Sequence, residues 1–212
     1  MLAAIPKKFR LIEIELNHAN SFNLPLKQRD NYILDLRKPY ENLYAAYSEN
    51  LQRNIKKSVS QGVRYSADVP VQEVLQLAKI QMEGFAGYSD VDFVNFGKLF
   101  SFLHARGQAL ACGVYSGNNE LTASAVFFFS HQRAYYILVG NRVDKRTDGA
   151  SHYLIDRFIE THAGKQLWLD FEGSDIAGLA KFYSSFGAIV EKYPSLRVNH
   201  LPWIVKVLSS KF

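Results

Sequence analysis

The chain has 212 residues, a formal net charge of +5 and 48% hydrophobic residues. This is enough for one large domain, or a domain with an appendage, and too apolar for a disordered chain. A single cysteine, Cys112, excludes an internal disulfide, and no apolar run reaches the roughly 20 residues that span a bilayer.

"MLAAIPKKFR" turns basic too early for a signal peptide, so a reducing, cytoplasmic setting is expected. The positive charge suits an anionic partner. "RLIEIEL", residues 10–16, alternates as a strand, "HANSFNLPLKQRDN" reads as a polar loop, and "YILDL" as a second short strand. Pro39 opens a long helix with apolar positions at Tyr40, Leu43, Tyr44, Tyr47, Leu51, Ile55 and Val59, ending at Gly62. "VRY" is a short strand. A helix follows from Pro70, and another from Asp90 as its cap to Gly107.

The period then changes from about 3.6 to 2. "QALACGVY", "ELTASAVFFFS" and "RAYYILVG" form an antiparallel meander joined by "SGNN" and "HQ". A helix begins near Gly149 and stops at Gly164, its buried face using Ala150, Tyr153, Leu154, Phe158 and His162. "KQLWLDF" is a strand, "GSDIAGLAKFYSSFGA" holds a short helix, and "IVEKY" and "PWIVKVLSS" are the last two strands. This order fits an α/β (α+β) fold, a mixed central sheet with helices on both faces.

The stretch "KRTDGASHYLIDRFIE" carries the first chemical signal. Asp148 is a natural N-cap, the first-turn amides can receive an anion, and Gly149 would let phosphate oxygens approach the backbone. Arg146 and Lys145 could neutralise them. Asp-Gly before a helix is also an ordinary cap. Asp170 sits near the end of "QLWLDF" with Glu172 next but one, so both face one side if the strand continues. Such a pair can orient or deprotonate an amine and raise one pKa; cation pairing is the ordinary alternative. No cluster has metal-site spacing, so no metal is expected.

A three-strand meander feeding a loop and helix resembles the Gcn5-related N-acetyltransferase (GNAT) fold. Arg146 and Gly149 match that family's pyrophosphate loop, with Ser151 where Gly or Ala is usual. "FYSSFGA" resembles its Tyr-to-Gly pattern through Tyr183 and Gly187, with Ala188 in place of Phe. "LDLRKPYENLYAAYSENLQRNIKKSVSQGVRY" is similar to the FemAB-like, peptidoglycan-bridge aminoacyltransferase branch, through Arg53, Asn54, Ile55, Lys56, Lys57, Gly62 and Val63. The resemblance covers roughly residues 30–210. It implies a GNAT-like domain over 37–212, with 1–36 the tail of a preceding lobe.

It also implies acyl transfer from acetyl-CoA or another acyl-CoA to a small-molecule or peptide amine. Leu138, Val139 and Gly140 would lie near the acyl carbonyl, with Gly140 marking a bulge or splay. Arg146, Gly149, Ala150 and Ser151 would hold the pyrophosphate. Tyr183 would protonate the leaving thiolate, and Asp170 or a water relay would take the amine proton. A homodimer or a missing lobe would complete the cleft. The alternatives are aminoacyl-tRNA-dependent transfer, with tRNA met by Arg53, Lys56 and Lys57, and a degenerate, non-catalytic binding or dimerisation module.

Overall fold

The computed structural model of the protein describes residues 5–20, 26–82, 87–142, 149–173, 176–203 and 205. Their strands are β1 (Leu11–Glu15), β2 (Lys27–Asp35), β3 (Arg64–Ser66), β4 (Ala109–Tyr115), β5 (Leu121–Ser130), β6 (Arg133–Asn141), β7 (Trp168–Gly173) and β8 (Ile189–Asn199). The helices are α1 (Tyr40–Ala45), α2 (Glu49–Ser60), α3 (Val71–Gln81), α4 (Asp90–His104), α5 (Ala150–His162) and α6 (Ala177–Ser184). All eight strands join one sheet in the order β1-β8-β2-β7-β6-β5-β4-β3. Every pairing is antiparallel except β6 with β7.

Strand alternation divides the core into two layers. Cys112, Val114, Ala123, Ala125 and Phe127 face a layer with Leu43 of α1, Leu51 and Ile55 of α2, Leu154, Ile155, Phe158 and Ile159 of α5, and Tyr183 of α6. Ala109, Ala111 and Val126 face the opposite layer, with Val71 and Val74 of α3 and Phe100 of α4. The mixed sheet with helices on both faces is therefore present. The β5–β6 turn works because His131 and Gln132 both take positive φ, 50° and 59°. Two such residues make the turn whose twist suits a two-residue hairpin.

Four expectations change. The long helix from Pro39 is two helices, because the Ser48 side chain accepts from the Leu51 amide and starts α2 afresh. Ser89, not Asp90, caps α4: its amide and hydroxyl both donate to Asp92, at 2.8 and 2.7 Å. "KQRDN" is not loop but the first half of β2, since it pairs with Glu191 to Ser195 of β8. Finally, β8 runs unbroken from Ile189 to Asn199 through Pro194, while Trp203 and Val205 are helical, so "PWIVKVLSS" does not supply a further strand at its described residues.

Residues 1–36, expected as the tail of another lobe, contribute β1 and β2 to this same sheet. β2 lies inside it, between β7 and β8. The apolar half of β2 explains the position: Tyr32, Ile33 and Leu34 are all buried.

Candidate active site

The site forms where the parallel strands part. β6 and β7 pair at Arg133↔Trp168, Ala134↔Leu169 and Tyr135↔Asp170, and no further. β6 continues to Asn141 and β7 to Gly173, so beyond Tyr135 the facing backbone edges diverge. At the same point the β5–β6 register slips between Val126↔Leu138 and Phe127↔Tyr136. The extra residue is Ile137, an apolar side chain 38% exposed in mid-sheet. A bulge re-aims the residues that follow it. Tyr136 and Val139 consequently both pack on the α5 side, while Leu138 packs on the α3–α4 side.

Gly140 does not mark the bulge, which lies three residues earlier. It is where α3 lies against the sheet: a β-carbon on Gly140 would come within 2.7 Å of the Ala78 amide nitrogen. The Gln81 side chain fixes the same helix to the end of β6, accepting from the Asn141 amide at 2.6 Å.

The start of α5 reaches the end of β6 from the other direction. Ser151 Oγ donates to Asn141 Oδ1 at 2.5 Å, which ties the helix's first turn to the strand. Ala150 is buried. Gly149 holds the N-cap with φ 80°, and a β-carbon there would collide with the Asn54 carbonyl of α2. The glycine is therefore required by the closeness of α2, whatever else approaches it. Arg146, Lys145 and Asp148 lie outside the described residues. The face of α5 also differs from expectation: Ile155, Asp156 and Ile159 are fully or nearly fully buried, whereas Tyr153 and His162 are partly exposed.

Tyr183 packs against the first residue of β7 beyond the parting point. Its ring stacks on Phe171 with centroids 4.7 Å apart and tilts against Tyr32 at 5.9 Å. Burial, helped by the charge of Glu172, pushes its phenol above the ordinary value. It therefore holds its proton at neutral pH.

Asp170 is buried and held on three sides. Its carboxylate accepts from Arg133 Nη1 at 2.7 Å, Asn31 Nδ2 at 3.0 Å and the Glu172 amide at 2.9 Å. Arg133 also forms a two-pronged pair with Glu191, at 2.9 and 2.7 Å, and this pair holds Glu191 below the usual carboxylate range. The network links β2, β6, β7 and β8. Asp170 and Glu172 both line one cavity of about 280 Å³, with Arg133, Tyr135 and Glu191, although the backbone between them departs from a regular strand. Glu172 takes φ 60°, so the strand does not continue in extended form. Its carboxyl is pushed up, first by burial and then by the Asp170 charge.

A cavity of about 130 Å³ opens beside β6, lined by Met82, Tyr88, Asp92, Phe93, Phe96 and Leu138. Of these only Leu138 was singled out in the sequence. The others are spread over the end of α3, the start of α4 and the link between them, and have no common spacing. Among the described residues no group of three His, Cys, Asp or Glu is placed to hold a metal ion. None of their helices is long and apolar enough to cross a membrane.

No family model and no curated protein sequence matches the chain. Solved structures do. FemX aligns with a TM-score of 0.64 at 12% identity, over 97% of this chain and 69% of that one. L-PGS from Bacillus licheniformis aligns at 0.55 and 12%, over 96% of this chain and 67% of that one. A GCN5-related N-acetyltransferase from Sphaerobacter thermophilus aligns at 0.56 and 13%, over 91% of this chain and 60% of that one. The likeness establishes a GNAT-like fold.

Proposed function

We propose that the chain is an N-acyltransferase that moves an acyl group from coenzyme A to an amine acceptor. The observation that carries this reading is the parting of β6 from β7 beyond Tyr135↔Asp170, beside the Ile137 bulge and under the first turn of α5. A strand edge unpaired with its parallel neighbour supplies amides and carbonyls to an extended ligand. The N-terminus of α5 supplies amides for phosphate. In this reading Leu138 to Gly140 would meet the arm that carries the acyl group and Gly149 to Ser151 the pyrophosphate, with Arg146, which lies outside the described residues, expected to join them.

Coenzyme A supplies the acyl group as a thioester. The amine nitrogen forms the new C–N bond as the C–S bond breaks. Tyr183 delivers a proton to the departing sulfur, a role suited to a phenol kept protonated at neutral pH. The proton lost by the amine goes to Glu172 directly or through water. Asp170, already committed to Arg133, Asn31 and a backbone amide, fixes the end of β7 rather than exchanging protons. Glu172 suits the base role because its raised pKa brings its proton affinity nearer neutrality.

The test is hydrogen exchange with and without acetyl-CoA. Slowed exchange at 138–141 and 149–151 is expected. Unchanged exchange there, with no binding by calorimetry, would overturn the reading. The likeness to FemX keeps a second donor in view, the aminoacyl-tRNA that the FemAB-like resemblance implies. That reading expects salt-sensitive RNA binding at Arg53, Lys56 and Lys57, which are exposed on α2.

A further inference from the structure

We infer that the cavity beside Leu138 is an acyl-chain pocket, and that the preferred donor carries an uncharged chain longer than acetyl, about four to six carbons or the size of a phenyl ring. This rests on the coenzyme A reading above and specifies its donor.

Position is the first argument. Leu138 is the residue immediately after the Ile137 bulge, and the bulge turns it toward α3 and α4. The same residue stands on the strand edge proposed to face the acyl carbonyl and lines the cavity. A chain leaving that carbonyl on the α3–α4 side enters the cavity directly. An acceptor side chain has no such covalent tie to the carbonyl, so the donor is the better occupant.

Size and lining are the second. The cavity measures about 130 Å³. A comparable apolar cavity, about 150 Å³, admits benzene and stays dry without it. An acetyl methyl would leave most of this volume unfilled. Met82, Phe93, Phe96 and Leu138 offer carbon surface, and Met82 in particular adapts to chains of different shape. The one carboxylate, Asp92, is occupied by the amide and hydroxyl of Ser89, which hold it below its usual range. It stays anionic and disfavours a donor with a terminal carboxylate.

Rigidity is the third. α3 rests on Gly140 and is fixed to Asn141 through Gln81, while Gly97 of α4 lies against Leu75 of α3. Both walls are therefore held to the strand that presents the donor.

Binding measurements need no acceptor. Calorimetry would compare coenzyme A with its acetyl, butyryl, hexanoyl and succinyl thioesters. Affinity is expected to rise about fourfold per added methylene until the cavity fills. Succinyl-CoA should fall below butyryl-CoA. Met82→Trp should abolish the gain for butyryl and hexanoyl chains while retaining coenzyme A affinity. Phe93→Ala should move the optimum to a longer chain. Equal affinities for acetyl, butyryl and hexanoyl thioesters in the unaltered protein would overturn the inference and leave acyl transfer standing. No binding of any of the five would overturn both.

Discussion

Asp156 shows how a single buried side chain can set a pH dependence. It is 3% exposed on the inner face of α5 and accepts a hydrogen bond from the Tyr40 hydroxyl of α1 at 2.9 Å. Burial pushes its carboxyl from 3.8 up to about 6, against the opposing pull of the Tyr40 bond. The folded protein therefore binds this proton more tightly than the unfolded chain. The resulting stability is fully present below about pH 4 and is lost as pH rises through 6, an effect of ~3 kcal/mol. Urea unfolding from pH 4 to 7 should show the decline, and Asp156→Asn should flatten it. Tyr183 separates two roles in the same way. Tyr183→Phe keeps the stacking on Phe171 and should cost less than about 1 kcal/mol of stability, while slowing acetyl-CoA turnover by roughly 100-fold. Tyr183→Ala removes a buried ring and should cost about 3–5 kcal/mol in chemical denaturation. Asp156 was not visible in the sequence, and for Asp170 the sequence suggested cation pairing but not its partners. A lone acid on a helix reads as surface, and the partners of Asp170 lie 37 and 139 residues away.

At the level of elements, two close approaches hold the site together. Gly149 admits α2 to the start of α5, and Gly140 admits α3 to β6. Gly149→Ala combines a left-handed backbone with a collision, and should lower stability by about 2–4 kcal/mol in denaturant titration. It should also weaken coenzyme A binding, because the first turn of α5 must shift. Arg133→Met would remove the guanidinium that Asp170 and Glu191 share at the junction of four strands, leaving Asp170 with Asn31 and the Glu172 amide and Glu191 with His18, and should cost about 3–5 kcal/mol. The meander, α5, α6 and the first part of β8 were legible because their periods are strong and their turns are short. The break at Ser48 was not, since Leu43, Tyr47, Leu51 and Ile55 keep one apolar rhythm across it. The bulge was hidden for a related reason. "YYILVG" is continuously apolar, so nothing in its pattern shows where the alternation slips.

For the molecule as a whole, the least legible fact was the place of β2. Its apolar half reads as a strand, but its position between β7 and β8 depends on pairings of Asp35 with Trp168 and of Ile33 with Ile189. A single sequence shows no partner at such separations. A chain beginning at residue 37 would expose the facing edges of β7 and β8, together with the apolar surface that Tyr32 and Leu34 cover. It should aggregate, or show by circular dichroism no cooperative thermal transition, where the full chain is expected to show one.

The same threading governs how the protein is made. β2 leaves the ribosome long before either strand that flanks it, since β7 and β8 both follow it at large separation. At ordinary elongation speeds it waits roughly 7–27 s for Trp168 to emerge. During that interval Tyr32, Ile33 and Leu34 have no sheet to enter. Closure of the central strands is thus a late, high-contact-order event, slow compared with a helical domain of this size. Meanwhile the charges in the first half of β2, "KQRD", disfavour pairing of that segment with other exposed strands.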